Sequence, residues 1–404
     1  MKEKLKILFG VLALYVLASI MAPLSVASAA EPILVGVVHS QKFPFATMMQ
    51  NSFEMALERI NKDGGIKGRP LKLVYGDDQG DRQIGENVIK KLVKETGVAM
   101  LVGGFHSSNT VYTARMAEKL DRPFLICTAA DDRITQRGWP NIFRLNPPAS
   151  GYTEGLEDFF VHHLKPKSMA IVYENSPYGT DAALRMMWFC REHDIDLRRV
   201  IPYHKERLKQ DYYQRILSPL KVKGEVPDII YMVSYLKDAV AVVREIRELQ
   251  LNTLLVGGAG GFTHPKFITN SGDSANFVLT ATLWYQEIEN PGTKAYYNQY
   301  INKYSVAPDY HGAEAYSALL VVTDALKRAE TLSPQHIRGA LDNTDMTTPF
   351  GPVKFSAYGK FERQNSLPTQ VLQIINGKFE CIWPRDLATA KFAPPPNWTA
   401  SGNR

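Results

Sequence analysis

The 404-residue sequence predicts an α/β protein built as two doubly wound, Rossmann-like lobes. Two observations carry that prediction. Short apolar segments alternate with stretches of helical periodicity along most of the chain, and the alternation stops at Pro147-Pro148 and then starts again. Strand–helix repeats imply parallel strands covered by helices on both faces, because every parallel crossover needs an element to return the chain. Two such runs imply two sheets.

The first thirty residues stand apart from this pattern. Lys2, Lys4 and Lys6 precede an almost unbroken apolar run from Ile7 to Ile20, followed by Pro23 and the small-residue stretch Val26-Ala27-Ser28-Ala29-Ala30. That order is the mark of a secretory signal peptide over residues 1–30, cleaved near Ala30. The apolar run falls short of the roughly 18–20 residues that a spanning helix needs, and no cysteine follows it to carry a lipid. The expected product is a soluble periplasmic protein. Loss of Lys2, Glu3, Lys4 and Lys6 with the leader takes 47 basic and 41 acidic residues to 44 and 40, a net charge of +4. So mild a surplus, with no basic clusters interleaved with aromatics, argues against nucleic acid as a partner. Cys127, Cys190 and Cys381 are too few and odd in number for a disulfide framework. Three buried free thiols is the favoured reading, with one pair left open.

In the first run, residues 33–38 (ILVGVV) read as a buried strand. Met49, Phe53, Ala56, Leu57 and Ile60 then recur at helical spacing up to Gly64-Gly65. Strand 71–75, a helix bearing Ile84, Val88, Ile89, Leu92 and Val93, strand 98–102, a helix from Ser107 and strand 124–127 complete it. The second run reads as helix 152–164, strand 168–173, helix 179–192, strand 198–203, a helix near 211–221, strand 228–233, a helix with Ala239, Val242, Val243, Ile246 and Leu249 inward, and strand 253–258. Beyond it come strand 277–283, helices near 293–304 and 313–328, and a hairpin in which Asn376-Gly377 joins 371–375 to 378–383. Pro394-Pro395-Pro396 marks an extended tail.

Open α/β sheets take ligands beyond the carboxyl ends of their strands. After the third strand, Gly103-Gly104-Phe105-His106-Ser107-Ser108 runs into a helix. Ser107 and Ser108, with the N–H groups of a helix start, form either an anion seat or an ordinary helix cap. Small Thr128, Ala129 and Ala130 follow the fourth strand, and Tyr178 and Tyr235 follow strands of the second run. Enzyme motifs are missing: there is no G-x-S-x-G elbow and no phosphate-binding G-x-x-x-x-G-K-[ST] loop. Gly257-Gly258-Ala259-Gly260-Gly261 lacks the dinucleotide fingerprint, and adjacent His162 and His163 do not share a helix face as a metal pair would. Asn397-Trp398-Thr399 matches a glycosylation acceptor to which no role is assigned. The sequence therefore reads as a non-enzyme without metal or cofactor. A hydrolase using His39, His106 or Asp131 is the less favoured alternative.

The stretch Ile60-Asn61-Lys62-Asp63-Gly64-Gly65-Ile66-Lys67-Gly68-Arg69-Pro70 with Asp77-Asp78 resembles the branched-chain amino-acid and amide family of periplasmic solute-binding proteins. So do Val102-Gly103 with Ser107-Ser108, Thr135-Gln136-Arg137-Gly138, Phe143-Arg144, Tyr178-Gly179, and Trp383-Pro384 with Pro396 and Trp398. The resemblance implies a type I periplasmic binding protein: two similar lobes joined by three crossovers, closing over a small-molecule ligand and delivering it to an ABC transporter membrane permease. It places the N-terminal lobe at 31–146 plus 284–365, the C-terminal lobe at 147–283 plus 366–384, and a tail at 385–404.

By the same resemblance Ser107 holds a ligand carboxylate, Phe45, Tyr178 and Tyr235 line the cleft, and Thr128 offers its backbone carbonyl. Two positions depart from the family's amino-acid binders. Ala130 stands where they have a threonine, and Ala259 where they have the acid that pairs with the ligand ammonium. A buried ammonium without a partner is costly, so the sequence argues against tight binding of ordinary α-amino acids. It favours a small carboxylate or amide with an apolar or aromatic body. A periplasmic sensor that presents its closed form to a signalling receptor is the alternative to transport.

Overall fold

The computed structural model describes residues 30–204, 211–222, 226–396 and 398. The leader before Ala30, and Asn397 and Thr399 of the acceptor triplet, lie outside the described residues. Two seven-stranded sheets organise the chain. The first contains β1 (Ile33–His39), β2 (Leu71–Asp77), β3 (Met100–Gly103), β4 (Phe124–Ile126) and β5 (Ile142–Arg144). The second contains β6 (Ser168–Glu174), β7 (Asp196–Tyr203), β8 (Ile229–Val233), β9 (Leu254–Gly257) and β10 (Leu279–Thr282). A small ladder pairs β11 (Asp345–Thr347) with β12 (Pro352–Lys354). Then β13 (Ser356–Tyr358) and β14 (Phe361–Gln364) join the first sheet, and β15 (Gln370–Ile375) and β16 (Lys378–Trp383) join the second.

The strand orders are β13-β14-β5-β4-β3-β1-β2 and β16-β15-β10-β9-β8-β6-β7, so one winding scheme is used twice. Each five-strand series is parallel throughout. Burial follows from position in the sheet. Central β1, β6 and β8 are almost wholly buried, as their unbroken apolar runs require, whereas edge strand β7 exposes Arg199 and Val200.

The helices are α1 (Ala46–Lys62), α2 (Arg82–Lys90), α3 (Ser107–Lys119), α4 (Glu154–Phe159), α5 (Pro177–Glu192), α6 (Tyr212–Leu217), α7 (Leu236–Glu248), α8 (Pro265–Ser271), α9 (Thr293–Tyr304), α10 (Tyr310–Arg328) and α11 (Pro334–Asp342). Side-chain caps set several starts: Asp81 accepts from Ile84 N–H at 2.9 Å, and Asp309 accepts from His311 N–H at 3.0 Å. The Asp309 cap starts α10 at Tyr310, earlier than periodicity implies. Gly312 then lets α10 lie close on α1, because a Cβ there would sit 2.6 Å from Tyr296 Oη and 3.1 Å from Met48 Cγ. No helix among the described residues is long and apolar enough to cross a membrane. Cys127, Cys190 and Cys381 are free and buried.

Two helices differ from the pattern-based expectation. Residues 152–164 do not form one helix: the 3₁₀ turn Ala149–Gly151, α4 and a π turn at Phe160–Leu164 succeed one another. The Gly155 N–H at the start of α4 is taken by Thr369 Oγ1 at 2.7 Å, so a tertiary bond competes with the helical ladder. The helix near 211–221 shortens to α6 plus a 3₁₀ turn at Ser218–Lys221, because Pro219 has no N–H to continue it. The short strands β5 and β11–β14, and helices α8 and α11, carry too few residues for a periodicity to show.

The chain passes between the sheets three times: after β5, after β10 and after β14. Two of these passages are clipped together by Arg144, which is fully buried. Its Nε donates to Gln364 Oε1 at 2.6 Å, Nη1 to the Asp131 carbonyl at 2.7 Å and Nη2 to Thr135 Oγ1 at 2.7 Å. Gln364 Nε2 in turn donates to the Asn146 and Asn365 carbonyls, both at 2.7 Å. Arg144→Leu removes three buried charge-assisted hydrogen bonds, each worth about 1.5–3 kcal/mol, although Gln364 Oε1 keeps the Thr135 hydroxyl and the Asp131 carbonyl keeps the Ile134 N–H. Urea denaturation of this variant is expected to show a loss of about 3 kcal/mol or more. Arg144→Lys is expected to recover only part of it, because one ammonium cannot span the three directions.

Candidate ligand cleft

The cleft starts at the turn between β3 and α3. Gly103 and Gly104 have φ of 113° and 81°, and a Cβ on Gly103 would lie 2.3 Å from the Val38 carbonyl oxygen. Only glycine lets the backbone pass β1 this closely and then turn Phe105, His106 and Ser107 toward the second sheet. Ser107 is the first residue of α3, where helix N–H groups have no carbonyl within the helix. Its Oγ accepts the Ala130 N–H at 3.1 Å, which leaves the hydroxyl proton for a second partner.

Groups from both sheets converge on this point. Phe105, Ser107, Thr128 and Ala130 come from the ends of β3 and β4, and Tyr152 from the first passage between the sheets. Tyr178, Tyr235 and Gly260 follow β6, β8 and β9, while Tyr310 and His311 open α10. They enclose a cavity of about 20 Å³. Tyr178 Oη donates to the Gly258 carbonyl at 2.7 Å, and Tyr310 Oη accepts the Gly260 N–H at 3.3 Å, a bond between α10 and the second sheet's loop. A chain of rings surrounds the cavity: His106 stacks on Phe43 at 4.9 Å and on Tyr235 at 5.7 Å, Tyr235 meets Tyr178 at 5.5 Å, and His311 meets Phe45 at 3.8 Å. Burial raises the phenols of Tyr152, Tyr178, Tyr235 and Tyr310, which keeps them neutral donors.

A larger cavity of about 410 Å³ lies where α8, the segment after β10 and the β15–β16 hairpin meet, with Trp284, Tyr285, Tyr297 and Phe379 in its walls. It is reached by none of the loops after β3, β4, β6 and β8, so it lacks the strand-end groups that favour the smaller space.

Three acid groups shape the electrostatics of the cleft. His311 Nδ1 lies 3.1 Å from both oxygens of Asp309, so Nδ1 carries a proton that it donates to that carboxylate. Asp131 accepts from Arg133 Nη2 at 2.6 Å. Glu314 is fully buried on α10, and burial raises its carboxyl well above the usual range against the opposing pull of the Thr128 hydroxyl. Nearby His264 is pushed down to about 4, also by burial, and its Nδ1 accepts from the Lys266 N–H at 3.0 Å.

Of the sequence-selected residues, Ser107, Thr128, Ala130, Tyr178 and Tyr235 meet at the cavity. The other four do not line it. Ala129 is turned into the hydrophobic core that includes Ile126 and Val111, because successive residues of an extended segment face opposite sides and those on either side of it face the cleft. Ser108 points to the next face of α3, partly exposed. Phe45 is fully buried and packs against His311 from behind. Ala259 is fully buried at φ 61°, ψ −142°, a costly backbone for alanine that turns the following Gly260 N–H toward Tyr310. Phe105, Tyr152, Gly260, Tyr310, His311 and Glu314 were not singled out by sequence. The legible signal for the last three was Pro308-Asp309, a helix-start pair that puts Glu314 one turn beyond Tyr310 (i+4) and His311 (i+3).

A model described as periplasmic binding protein matches residues 32–378. Leu/Ile/Val-binding protein homolog 7 of Brucella melitensis is 24% identical over 398 residues, covering 91% of this chain and 96% of the relative. Homolog 8 of Brucella abortus is 25% identical over 357 residues, covering 84% and 86%. Among solved structures, the branched-chain amino acid transporter substrate binding protein LivJ of Streptococcus pneumoniae, in complex with isoleucine, has a TM-score of 0.76 at 21% identity and covers 90% of this chain and 100% of that one. An ABC transporter solute binding protein of R. palustris in complex with benzoate has a TM-score of 0.74 at 16% identity, covering 87% and 95%. At these identities the structural likeness establishes the shared fold.

At the mouth of the cleft, Asp181 on α5 accepts the Asp132 N–H at 3.0 Å, joining a residue before the first passage to one after it. Burial, followed by the charges of Asp132 and Asp131, raises Asp181 from 3.8 to about 6. An acid whose folded pKa is raised supports the fold below its unfolded value, and that support is lost as pH rises through the folded value. Asp181→Asn is therefore expected to melt a few degrees higher than the wild type at pH above about 6, with the gap closing below 3.8, as followed by thermal unfolding across pH.

Proposed function

The chain belongs to the periplasmic binding protein family, and within that family we propose an extracytoplasmic receptor that closes around a small organic ligand and hands it to an ABC permease. The carrying observation is the convergence of Ser107, at the start of α3, with Tyr178 and Tyr235 of the opposite sheet on one cavity. A group held from both sides stabilises the closed arrangement by the difference in its affinity for closed and open forms. The lobes are residues 31–146 with 284–365 and residues 147–283 with 366–384, a division supported by the sheet membership of the strands. The passages near 146, 284 and 366 are then the hinge.

The ligand class follows from the lining. Ser107 Oγ–H and the N–H groups opening α3 favour a carboxylate or amide oxygen. The surrounding phenyl and phenol rings favour an apolar or aromatic body. Isoleucine and benzoate, named with two of the similar structures, both join a carboxylate to an apolar or aromatic body.

Native mass spectrometry of freshly purified protein is expected to show retained cargo, and a thermal-shift panel of apolar carboxylates and amides to raise Tm with ligand concentration. Absence of both would sink the reading. For a ligand that binds, Ser107→Ala is expected to weaken affinity roughly 10- to 100-fold, since a hydrogen bond to a charged group contributes about 1.5–3 kcal/mol. Calorimetry checks this. The control is Ser108→Ala, off the cavity, which is expected to leave affinity within about twofold.

A further inference from the structure

We propose that closing the clamp moves two protons in opposite directions, one onto Asp181 at the mouth of the cleft and one off His264 beside Phe45, so that mild acid neither locks nor releases the ligand. This rests on the receptor reading above and names a regulation of the same site. Both side chains belong to the second lobe of that reading, and both are covered by residues of the first. Neither lines the cavity, so their protonation bears on closure and not on ligand contact.

His264 lies between β9 and α8 and is buried. Its ring meets Phe45, the residue that opens α1, edge-on at 4.8 Å. Its Nδ1 accepts the Lys266 N–H at 3.0 Å and so caps α8, which leaves no proton on that nitrogen and the ring neutral. The charges that bear on the ring are Asp309 and His311 of α10 and Lys266 of its own helix. Asp309 is engaged by His311 Nδ1, and burial outweighs its pull, which holds His264 at about 4 against the usual 6.5. Opening of the cleft withdraws Phe45, Asp309 and His311 and returns the ring to water. A histidine that is neutral when covered and basic when exposed gives up a proton as the lobes close, at any pH between about 4 and 6.5.

Asp181 has the opposite sense. It accepts the Asp132 N–H, and Asp132, Asp131 and Arg133 of the facing loop supply the charges that bear on it. Arg133 is engaged by Asp131, and Lys360 lies 3.9 Å from Asp132. On α5 itself, Arg185 donates to Glu157. Burial beside two carboxylates therefore prevails and raises Asp181 to about 6. When the lobes part, the 131–133 loop leaves and the ordinary value of 3.8 returns, so closing takes up a proton between about 3.8 and 6. Near pH 5.5 the two sites nearly cancel, with roughly three-quarters of a proton bound at Asp181 and roughly nine-tenths released at His264. Neither the apolar cover of His264 nor the acid pair facing Asp181 then makes closure depend strongly on pH.

Isoleucine and benzoate keep their charge between about pH 5.5 and about pH 7.5 and serve as probes, titrated calorimetrically into wild type, Asp181→Asn, His264→Asn and the double variant. Asparagine preserves both local bonds, since its amide oxygen accepts the Asp132 N–H at one site and caps α8 at the other. On going from about pH 7.5 to about pH 5.5, wild-type affinity is expected to change by less than about threefold. Asp181→Asn is expected to bind roughly three- to tenfold more weakly in acid, and His264→Asn roughly three- to fivefold more tightly. The double variant is expected to stay within about twofold. In buffers of different ionisation enthalpy near pH 5.5, Asp181→Asn is expected to release protons on binding and His264→Asn to take them up. A flat response in either single variant, or the same sign in both, overturns the proton coupling while leaving the receptor reading intact. Failure of both probes to bind wild type at either pH overturns both. If one variant does not fold, the slope and proton count of the other, set against wild type, decide.

Discussion

The buried guanidinium of Arg144 is the constraint on which the rest depends. It sits where the chain leaves the first sheet and where it returns from β14, and its three donors tie those strands to the loop at 131–135. Gln364 completes the clip by reading both passages through their carbonyls. A fully buried charge must have every direction satisfied, so the passages cannot shift independently of that loop. The loop holds Asp131 and Asp132, and Asp132 N–H reaches Asp181 across the cleft mouth. The polar centre of the passages is thereby coupled to the contact at the mouth of the cleft.

The molecule uses one winding scheme twice. Both sheets direct the carboxyl ends of their parallel strands toward a shared space, so loops after β3, β4, β6, β8 and β9 meet there. The turns themselves are geometrically demanding. Gly103 passes the Val38 carbonyl too closely for any side chain, and Ala259 is held in a conformation that alanine rarely adopts. Strain at the two loops facing each other is the cost of aiming Ser107 and the Gly260 N–H into the same cavity.

The placement of acids gives this cleft its own character. Ala259 provides no carboxylate on the second sheet, and its side chain is not turned to the cavity in any case. Glu314 is a buried carboxyl on α10, a helix that Gly312 lets lie close on α1. Asp309 does two jobs at the start of the same helix: it caps the backbone and hydrogen-bonds the His311 ring at Nδ1.

The two α/β runs, the break at Pro147-Pro148 and the turns at which a ligand would be met are all written in the order of residues. They are legible because period 2, period 3.6, glycine pairs and caps are local consequences of backbone geometry. Ser107, Thr128, Tyr178 and Tyr235 were legible for the same reason, since strand ends can be located from the strands alone. Other features needed the folded chain. Only the pleat of the 128–130 segment turned Ala129 away from the cleft, and only long-range packing brought Tyr310, His311 and Glu314 to loops far earlier in the chain. Whether a buried carboxyl has a partner depends on atoms distant in sequence. That is the physical reason the surroundings of Glu314 could not be read from the sequence.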